Sequence, residues 1–238
     1  FSHRITSSIA GLLLIVLLVW AIRRWYVSRA ERDRFAMAAA IGSFIFVVIE
    51  GLLGRSLVLT GNTAMTLTPE RPFWMAGHLV NTFILLAFIT LTAWFATNGR
   101  RLNFRIETKY LAIAAFGFFV IMVVGVSGSI AALASMLFPA DSLGAGIEQD
   151  FSPTSNVLLR LRVLHPILSV LSGMFLIFIS GWLKRESADD KGVKRWSGVL
   201  SLLIVIQLAF GAATLLTLAP IVMQLGHLFL ADAIWISY

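Results

Sequence analysis

Long apolar runs alternate with short polar segments along the whole of this 238-residue chain. Each run approaches or exceeds the 20 or so residues that a helix needs to cross a bilayer. The pattern predicts an all-α, polytopic membrane bundle with seven visible spans. The predicted spans cover residues 5–22, 37–59, 74–95, 111–137, 160–185 and 196–218, with the seventh beginning near Gly226. The longest polar segment, 138–156, is predicted to be an outer loop.

Positive charge is concentrated in three of the polar segments. Of the 19 Lys and Arg residues, 14 lie in 23–36, 96–110 and 184–196, and the net charge is +7. Short basic loops stay in the cytoplasm, so we expect a multi-pass protein of the bacterial cytoplasmic (inner) membrane with these loops inside. This clustering argues against a nucleic-acid partner and for membrane lipid. The sequence has no cysteine, which excludes disulfides, thiolate metal sites and a cysteine nucleophile.

All four histidines fall at repeated positions. A shift of 162 residues lays His3 over His165, and the Gly-His-Leu triplet at 77–79 recurs at 226–228. The aligned helices share Ile5/Ile167, Ser7/Ser169, Gly11/Gly173, Leu14/Leu176, Ile15/Ile177, Trp20/Trp182 and Arg23/Arg185. The two halves have the same orientation, which predicts parallel repeats related by an axis along the membrane normal. We expect an N-terminal repeat over 1–110 and a C-terminal repeat over 111–238.

Each half offers two histidines near the outer ends of two helices, an arrangement that can clamp a cofactor inside a bundle. A single histidine near a helix end is usually an interfacial residue, but four at repeated positions favour a shared chemical role. Facing imidazoles suit haem iron, whereas a zinc site usually takes three or four protein ligands. A proton relay would need carboxylates, and Glu50 and Asp232 are those available within these helices. The candidate metal ligands are therefore His3, His78, His165 and His227.

Small and polar residues near the histidines suggest further roles. Ser169 and Gly173 follow His165 at i+4 and i+8, so that side of the helix has room for a flat molecule. Glu50 aligns with Gln207 of the second half. We expect this polar position to form a hydrogen bond across the bundle in each half.

Three arginines have two interpretations each. Arg55 lies just over one turn beyond Glu50 and can meet either that residue or a ligand carboxylate. Arg160 and Arg162 stand just outside the helix of His165. They are either ordinary flanking charges or partners for the propionates of a haem.

Several motifs together resemble the haem A synthase family. They are QDFSPTSNVLLRLRVLHPILS at 149–169, FSHR at the start, LGRSLVLTG at 53–61 and the two Gly-His-Leu helix entries. The resemblance covers essentially the whole chain and matches the four histidines in order and spacing. It implies an oxidoreductase that converts a ring methyl of haem O to the formyl group of haem A. The implied partners are haem O, haem O synthase, terminal oxidase assembly and an electron acceptor.

The same resemblance implies different roles for the two halves. A b-type haem would be held in the second half by His165 and His227. The substrate haem would lie in the first half near His3 and His78, which would be the catalytic pair.

A difference in polarity between the halves favours the same assignment. Asn81 and Thr82 lie one turn below His78, where Leu230 and Ala231 occupy the aligned positions in the second half. A polar slot suits oxidation of a methyl group, because developing charge and protons must be accommodated.

The chain also departs from the family pattern. The family has eight spans, and its catalytic glutamate would fall one place before Phe1, so we expect the native chain to extend past both ends. The outer-loop cysteines of some members are absent, and Glu50 stands where a glutamine is expected. Two other functions remain open. One is a non-catalytic di-haem b-type electron-transfer cytochrome, and the other is a transporter or assembly factor that binds haem for delivery.

Overall fold

A computed structural model describes residues 2–62, 68–97, 107–187 and 189–238, with side chains from residue 5 onward. Within these ranges the chain forms eight α-helices. They are α1 (Ser2–Ser28), α2 (Glu31–Leu59), α3 (Arg71–Thr97), α4 (Thr108–Leu137), α5 (Leu143–Phe151), α6 (Val157–Glu186), α7 (Lys191–Leu216) and α8 (Ile221–Ser237). Six are long and apolar enough to cross a membrane, and α8 is a shorter apolar helix. The prediction of an all-α polytopic membrane bundle is confirmed.

The helices extend beyond the predicted spans at several ends. α3 begins at Arg71 and α7 at Lys191, because helical hydrogen bonding continues through polar turns that apolar patterning does not detect. α8 begins at Ile221, immediately after Pro220, rather than near Gly226. The turn that precedes it reverses the chain abruptly, so the last helix starts almost as soon as α7 ends.

The segment 138–156 contains a helix that the sequence analysis did not predict. The backbone N–H of Ala145 donates to Ser142 Oγ at 3.2 Å, which caps the N-terminus of α5. α5 has 9 residues, too few for an apolar period to stand out. The sequence signal for this helix was Ser142, because serine is a common residue at helix N-termini.

The turn between α1 and α2 is stabilised by a buried carboxylate. Asp33 is 1% exposed, and its Oδ1 lies 2.9 Å from Arg24 Nε. The hydroxyl of Ser28 donates to its other oxygen at 2.5 Å. Burial of a carboxylate is costly unless it is paired, and these contacts hold the two helices at a tight turn.

The helices pack as two groups joined by α4. In the first group α1 packs on α2 and α2 packs on α3, whereas in the second α6 packs on α7 and α7 packs on α8. α4 contacts α3, α6 and α8, and α3 also contacts α8 directly. The contact region between the groups is therefore formed by α3, α4 and α8.

The main apolar cluster joins these three helices to α6 and α7. Its buried members are Phe83, Ile121, Leu176, Leu200, Ile204, Ile234 and Trp235. The rings of Phe83 and Trp235 are stacked at 4.8 Å, and the indole N–H of Trp235 donates to the Phe83 carbonyl at 2.7 Å. Such a hydrogen bond contributes about 0.5–1.5 kcal/mol, and an aromatic pair adds a similar amount. This contact ties α3 of the first group to α8 of the second.

Outward-facing apolar side chains cover much of the remaining surface. On α1, for example, Leu12, Leu13 and Val16 are each more than 60% exposed. In water such a surface would be unusual, whereas lipid accommodates it.

Candidate functional site

The three histidines whose side chains are described lie at similar depths in their helices. His78 is the eighth residue of α3, His165 the ninth of α6 and His227 the seventh of α8. At 1.5 Å per residue, each stands roughly 10 Å from the first residue of its helix. His3 belongs to α1, but its side chain lies outside the described residues.

The imidazoles of His165 and His227 face each other across the second group of helices. Their ring centres are 6.2 Å apart and their planes are perpendicular, at 89°. Two imidazoles that share one metal ion, each with a metal–nitrogen distance of about 2 Å, have ring centres about 6 Å apart. At this spacing His165 and His227 could together hold one haem iron.

Hydrogen bonds set the state of the first of these rings. The Ser127 hydroxyl donates its single proton to the Val124 carbonyl at 2.8 Å. Its oxygen lies 3.0 Å from His165 Nδ1, so it accepts the Nδ1–H of that ring. This tautomer leaves Nε2 free to bind a metal.

The second ring has a different environment. The amide nitrogen of Gln207 on α7 lies 3.3 Å from His227 Nε2. Within the described residues, His227 Nδ1 is buried and has no hydrogen-bond partner. Because an amide nitrogen donates, Nε2 of this ring is the acceptor and Nδ1 carries the proton, so a metal would bind at Nε2 in place of the Gln207 contact.

Each of these two histidines lies against a glycine of a neighbouring helix. A Cβ at Gly128 would stand 2.9 Å from His165 Cε1, and a Cβ at Gly211 would stand 2.9 Å from His227 Cε1. Any side chain at either position would displace the ring. Ser127 and these two glycines were missed by the sequence analysis, because the contacts join residues far apart in the chain.

The small residues below His165 have a different role from the one predicted. Ser169 donates its hydroxyl to the His165 carbonyl at 2.7 Å. A Cβ at Gly173 would lie 3.0 Å from Leu208 of α7. The interpretation as space for a flat molecule is therefore wrong at Gly173, where the missing side chain allows α7 to approach.

In the first group, Glu50 of α2 contacts three residues of α3. Its Oε1 lies 2.7 Å from His78 Nδ1 and accepts a hydrogen bond from Thr82 Oγ1 at 2.5 Å. Its Oε2 accepts from Asn81 Nδ2 at 2.5 Å, and this amide also donates to the Phe46 carbonyl at 2.9 Å. The Nδ1–H of His78 is not aligned with the carboxylate, so this contact is a close polar pair rather than a well-directed hydrogen bond. The expected bond across the bundle from Glu50 is confirmed.

Two of the arginines near the histidines are held by the segment 138–156, and the third is exposed. Arg162 places two guanidinium nitrogens 2.5 and 3.0 Å from Asp150 Oδ1, which fastens α5 to α6. Arg160 donates to the hydroxyl of Ser155 and to the Pro153 carbonyl. Both arginines therefore serve that segment in this structure. Arg55 is exposed.

An apolar groove of about 310 Å³ runs between α4 and α6 beside the paired histidines. Its lining includes Met122, Val126, Ile130, Leu161 and Leu168, together with Ser127. Ser127, which contacts His165, is therefore shared between this groove and the paired histidines.

Comparison with known proteins identifies the family. The family model described as "Cytochrome oxidase assembly protein" matches residues 1–238, the full length of the chain. The chain belongs to this family. Relatives named "Heme A synthase" include one from Shouchella clausii, 24% identical over 223 residues, which covers 91% of this chain and 69% of the relative. Another, from Alkalihalophilus pseudofirmus, is 24% identical over 218 residues, 87% of this chain and 65% of the relative. The resemblance to haem A synthases is confirmed.

Other relatives of the chain carry a different name. "Protoheme IX farnesyltransferase" of Thermus thermophilus is 36% identical over 238 residues, which is 100% of this chain. The match takes in 38% of that relative, so the chain spans well under half of its length. No solved structure matches the chain significantly.

Proposed function

We propose that this member of the cytochrome oxidase assembly family is a haem A synthase, which oxidises a ring methyl of haem O to the formyl group of haem A. The observation that carries the proposal is the facing pair of His165 and His227, with ring centres 6.2 Å apart. The relatives named "Heme A synthase" support the same reaction. Conversion of a methyl to a formyl group takes up an oxygen atom, which water can supply, and releases protons and electrons, so an electron acceptor is also needed.

We assign a b-type haem to the second half, between His165 and His227. Ser127 orients the first ring so that Nε2 is available. Gly128 and Gly211 let both rings lie close to neighbouring helices. When bound, the haem supplies one-electron redox chemistry, and its imidazole ligands help to set its potential.

We assign the substrate, haem O, to the first half near His3 and His78, as the catalytic pair. Glu50, Asn81 and Thr82 make the surroundings of His78 polar. Polar groups that are already oriented can stabilise charge that develops during the oxidation. Here the carboxylate and the hydroxyl can also hold protons or water beside the reacting group.

Aligned contacts support the division into repeats at 1–110 and 111–238. Glu50 contacts His78 between α2 and α3, and Gln207 contacts His227 between α7 and α8. Residues at matching positions of the two sequences thus meet in both halves.

The location and partners follow from the same reading. The three basic segments favour the bacterial inner membrane with those segments in the cytoplasm. Haem O synthase would supply the substrate, and terminal oxidase assembly would consume the product.

Two other functions compete with this one. The relative named "Protoheme IX farnesyltransferase" matches the whole chain at 36% identity, although the match takes in 38% of its own length. A di-haem electron-transfer cytochrome would use the same four histidines. A protohaem farnesyltransferase would prenylate protohaem, whereas a di-haem electron-transfer cytochrome would carry two haems that remain chemically unchanged.

The test is to supply the purified full-length protein with haem O and an electron acceptor in aerated buffer, and separately with protohaem and farnesyl diphosphate, and to identify the pigments by mass. A haem A synthase yields the formyl product from haem O. His78→Ala should abolish that product and leave the b-type haem bound, whereas His227→Ala should remove the b-type haem. Thr90→Ala is the matched control, because its hydroxyl bonds to the Leu86 carbonyl of the same helix. A prenylated product, or unchanged haem O in every preparation, would overturn the proposal.

A further inference from the structure

The aligned positions 50 and 207 differ in charge, and both contact a histidine. Glu50 places a carboxylate oxygen 2.7 Å from His78 Nδ1, whereas Gln207 places an amide nitrogen 3.3 Å from His227 Nε2. An ionised carboxylate can only accept hydrogen bonds, and an amide nitrogen can only donate them. The two histidines therefore meet neighbours of opposite hydrogen-bonding character.

The carboxylate of Glu50 is fixed from several directions. Thr82 donates to one oxygen and Asn81 to the other, and Asn81 is itself anchored on the Phe46 carbonyl. The Glu50 side chain is 19% exposed. A carboxylate within a membrane-spanning helix is costly, so such residues are usually functional. These contacts offset part of that cost and also limit where the carboxylate can move.

A carboxylate that accepts the Nδ1–H of an imidazole has a defined effect when the ring binds a metal. Glu50 Oε1, 2.7 Å from His78 Nδ1, is close enough to accept that proton once the ring is aligned with it. Such a carboxylate favours the tautomer with the proton on Nδ1, orients the ring, and makes Nε2 a stronger donor to the metal. A stronger donor stabilises the oxidised and more positive state of the metal. Gln207, at the aligned position, is neutral and contacts Nε2 rather than Nδ1 of its histidine, so it lacks this effect.

We propose that Glu50 is a positioning residue, which orients His78 as an iron ligand and makes the first-half haem easier to oxidise than the second-half haem. This inference rests on the proposed function, because it requires a haem bound at His78. It also predicts the direction in which electrons move between the two halves. Electrons released in the first half would then pass to the second half with a favourable free-energy change, because they would move toward the higher reduction potential.

The experiment is a spectroelectrochemical titration of the full-length protein reconstituted with haem in both halves. The first-half haem is identified as the one that His78→Ala removes. Glu50→Gln preserves the size of the side chain and should raise the reduction potential of that haem alone. Thr90→Ala should change neither potential, because its hydroxyl bonds to the Leu86 carbonyl within its own helix.

Haem binding gives a second readout. Glu50→Ala should weaken binding of the first-half haem by about 10–100-fold, the usual range for loss of such a supporting carboxylate. Glu50→Asp should restore part of that loss, and an unchanged second-half haem shows that each variant is folded.

Two results would overturn the inference, and they differ in what else they affect. If Glu50→Gln leaves both potentials unchanged while His78→Ala still removes one haem, the role of Glu50 is wrong and the proposed function stands. If His78→Ala removes neither haem, the first-half site is wrong, and both proposals fall together.

Discussion

Replacement of Gly128 or Gly211 by alanine tests whether the two facing histidines hold a haem in their observed positions. Each new Cβ would lie 2.9 Å from the Cε1 atom of a histidine ring. Ordinary contacts begin near 3.4 Å, so the ring must move by about 0.5 Å. Without a ligand the ring can rotate away. With iron bound, the metal–nitrogen bond fixes it.

The magnitude follows from two opposing effects. Alanine stabilises a helix interior by up to about 1 kcal/mol relative to glycine. Forcing an extra methyl group into a packed site costs about 1–3 kcal/mol. The haem-free variant should therefore be of roughly unchanged stability. The haem-bound form should lose about 1–2 kcal/mol, which is a factor of roughly 5–30 in haem affinity.

The assay measures haem retention and thermal unfolding of the purified protein in detergent, with and without haem. Gly181→Ala on α6 and Gly198→Ala on α7 are matched controls, because a Cβ at either position meets nothing within 4 Å. The controls should bind haem as the wild type does. Equal haem affinity in Gly128→Ala, Gly211→Ala and the controls would refute the assignment of these rings as iron ligands.

Three smaller predictions concern the contacts around the site. Trp235→Phe removes the indole N–H that donates to the Phe83 carbonyl and should lower the free energy of unfolding by about 1 kcal/mol, measured against the wild type in the same detergent. An unchanged free energy of unfolding would mean that this bond does not stabilise the bundle. Asp150→Asn weakens the pair with Arg162, so limited proteolysis should cut the segment 138–156 faster, and an unaltered rate would contradict the fastening of α5 to α6. Ser127→Ala removes the hydrogen bond to the facing pair and should weaken haem binding by about tenfold or more, as judged by haem titration; full retention of affinity would show that this hydroxyl does not orient its ring.

The sequence predicted the helices and the repeated histidines because both leave local signals. Apolar runs of membrane length and the shared Gly-His-Leu triplets can be read without any tertiary information. The contact of Glu50 was also predictable in kind, since a polar residue at matched depth in both halves needs a partner inside the bundle. The identity of its partners on α3 required the register between helices, which the pattern does not contain.

Other parts of the site depended on packing that one sequence does not specify. Gly173 was interpreted as space for a ligand, whereas it admits Leu208 of the neighbouring helix. A missing side chain looks the same in sequence whether a helix or a cofactor fills the space. At Gly128 the sequence analysis missed a contact. The missing side chain there admits the ring of His165, and the two residues lie on helices separated by the segment 138–156.

The hydrogen bond from Trp235 to the Phe83 carbonyl affects which substitutions positions 83 and 235 can accept. Its acceptor is a backbone atom, which every residue at position 83 supplies. Its donor is an indole, which only tryptophan supplies. Substitutions at position 83 can therefore accumulate without a compensating change at position 235, apart from the stacking of the two rings. A search for correlated substitutions would miss the hydrogen bond between the two groups of helices, although a single replacement at position 235 removes it.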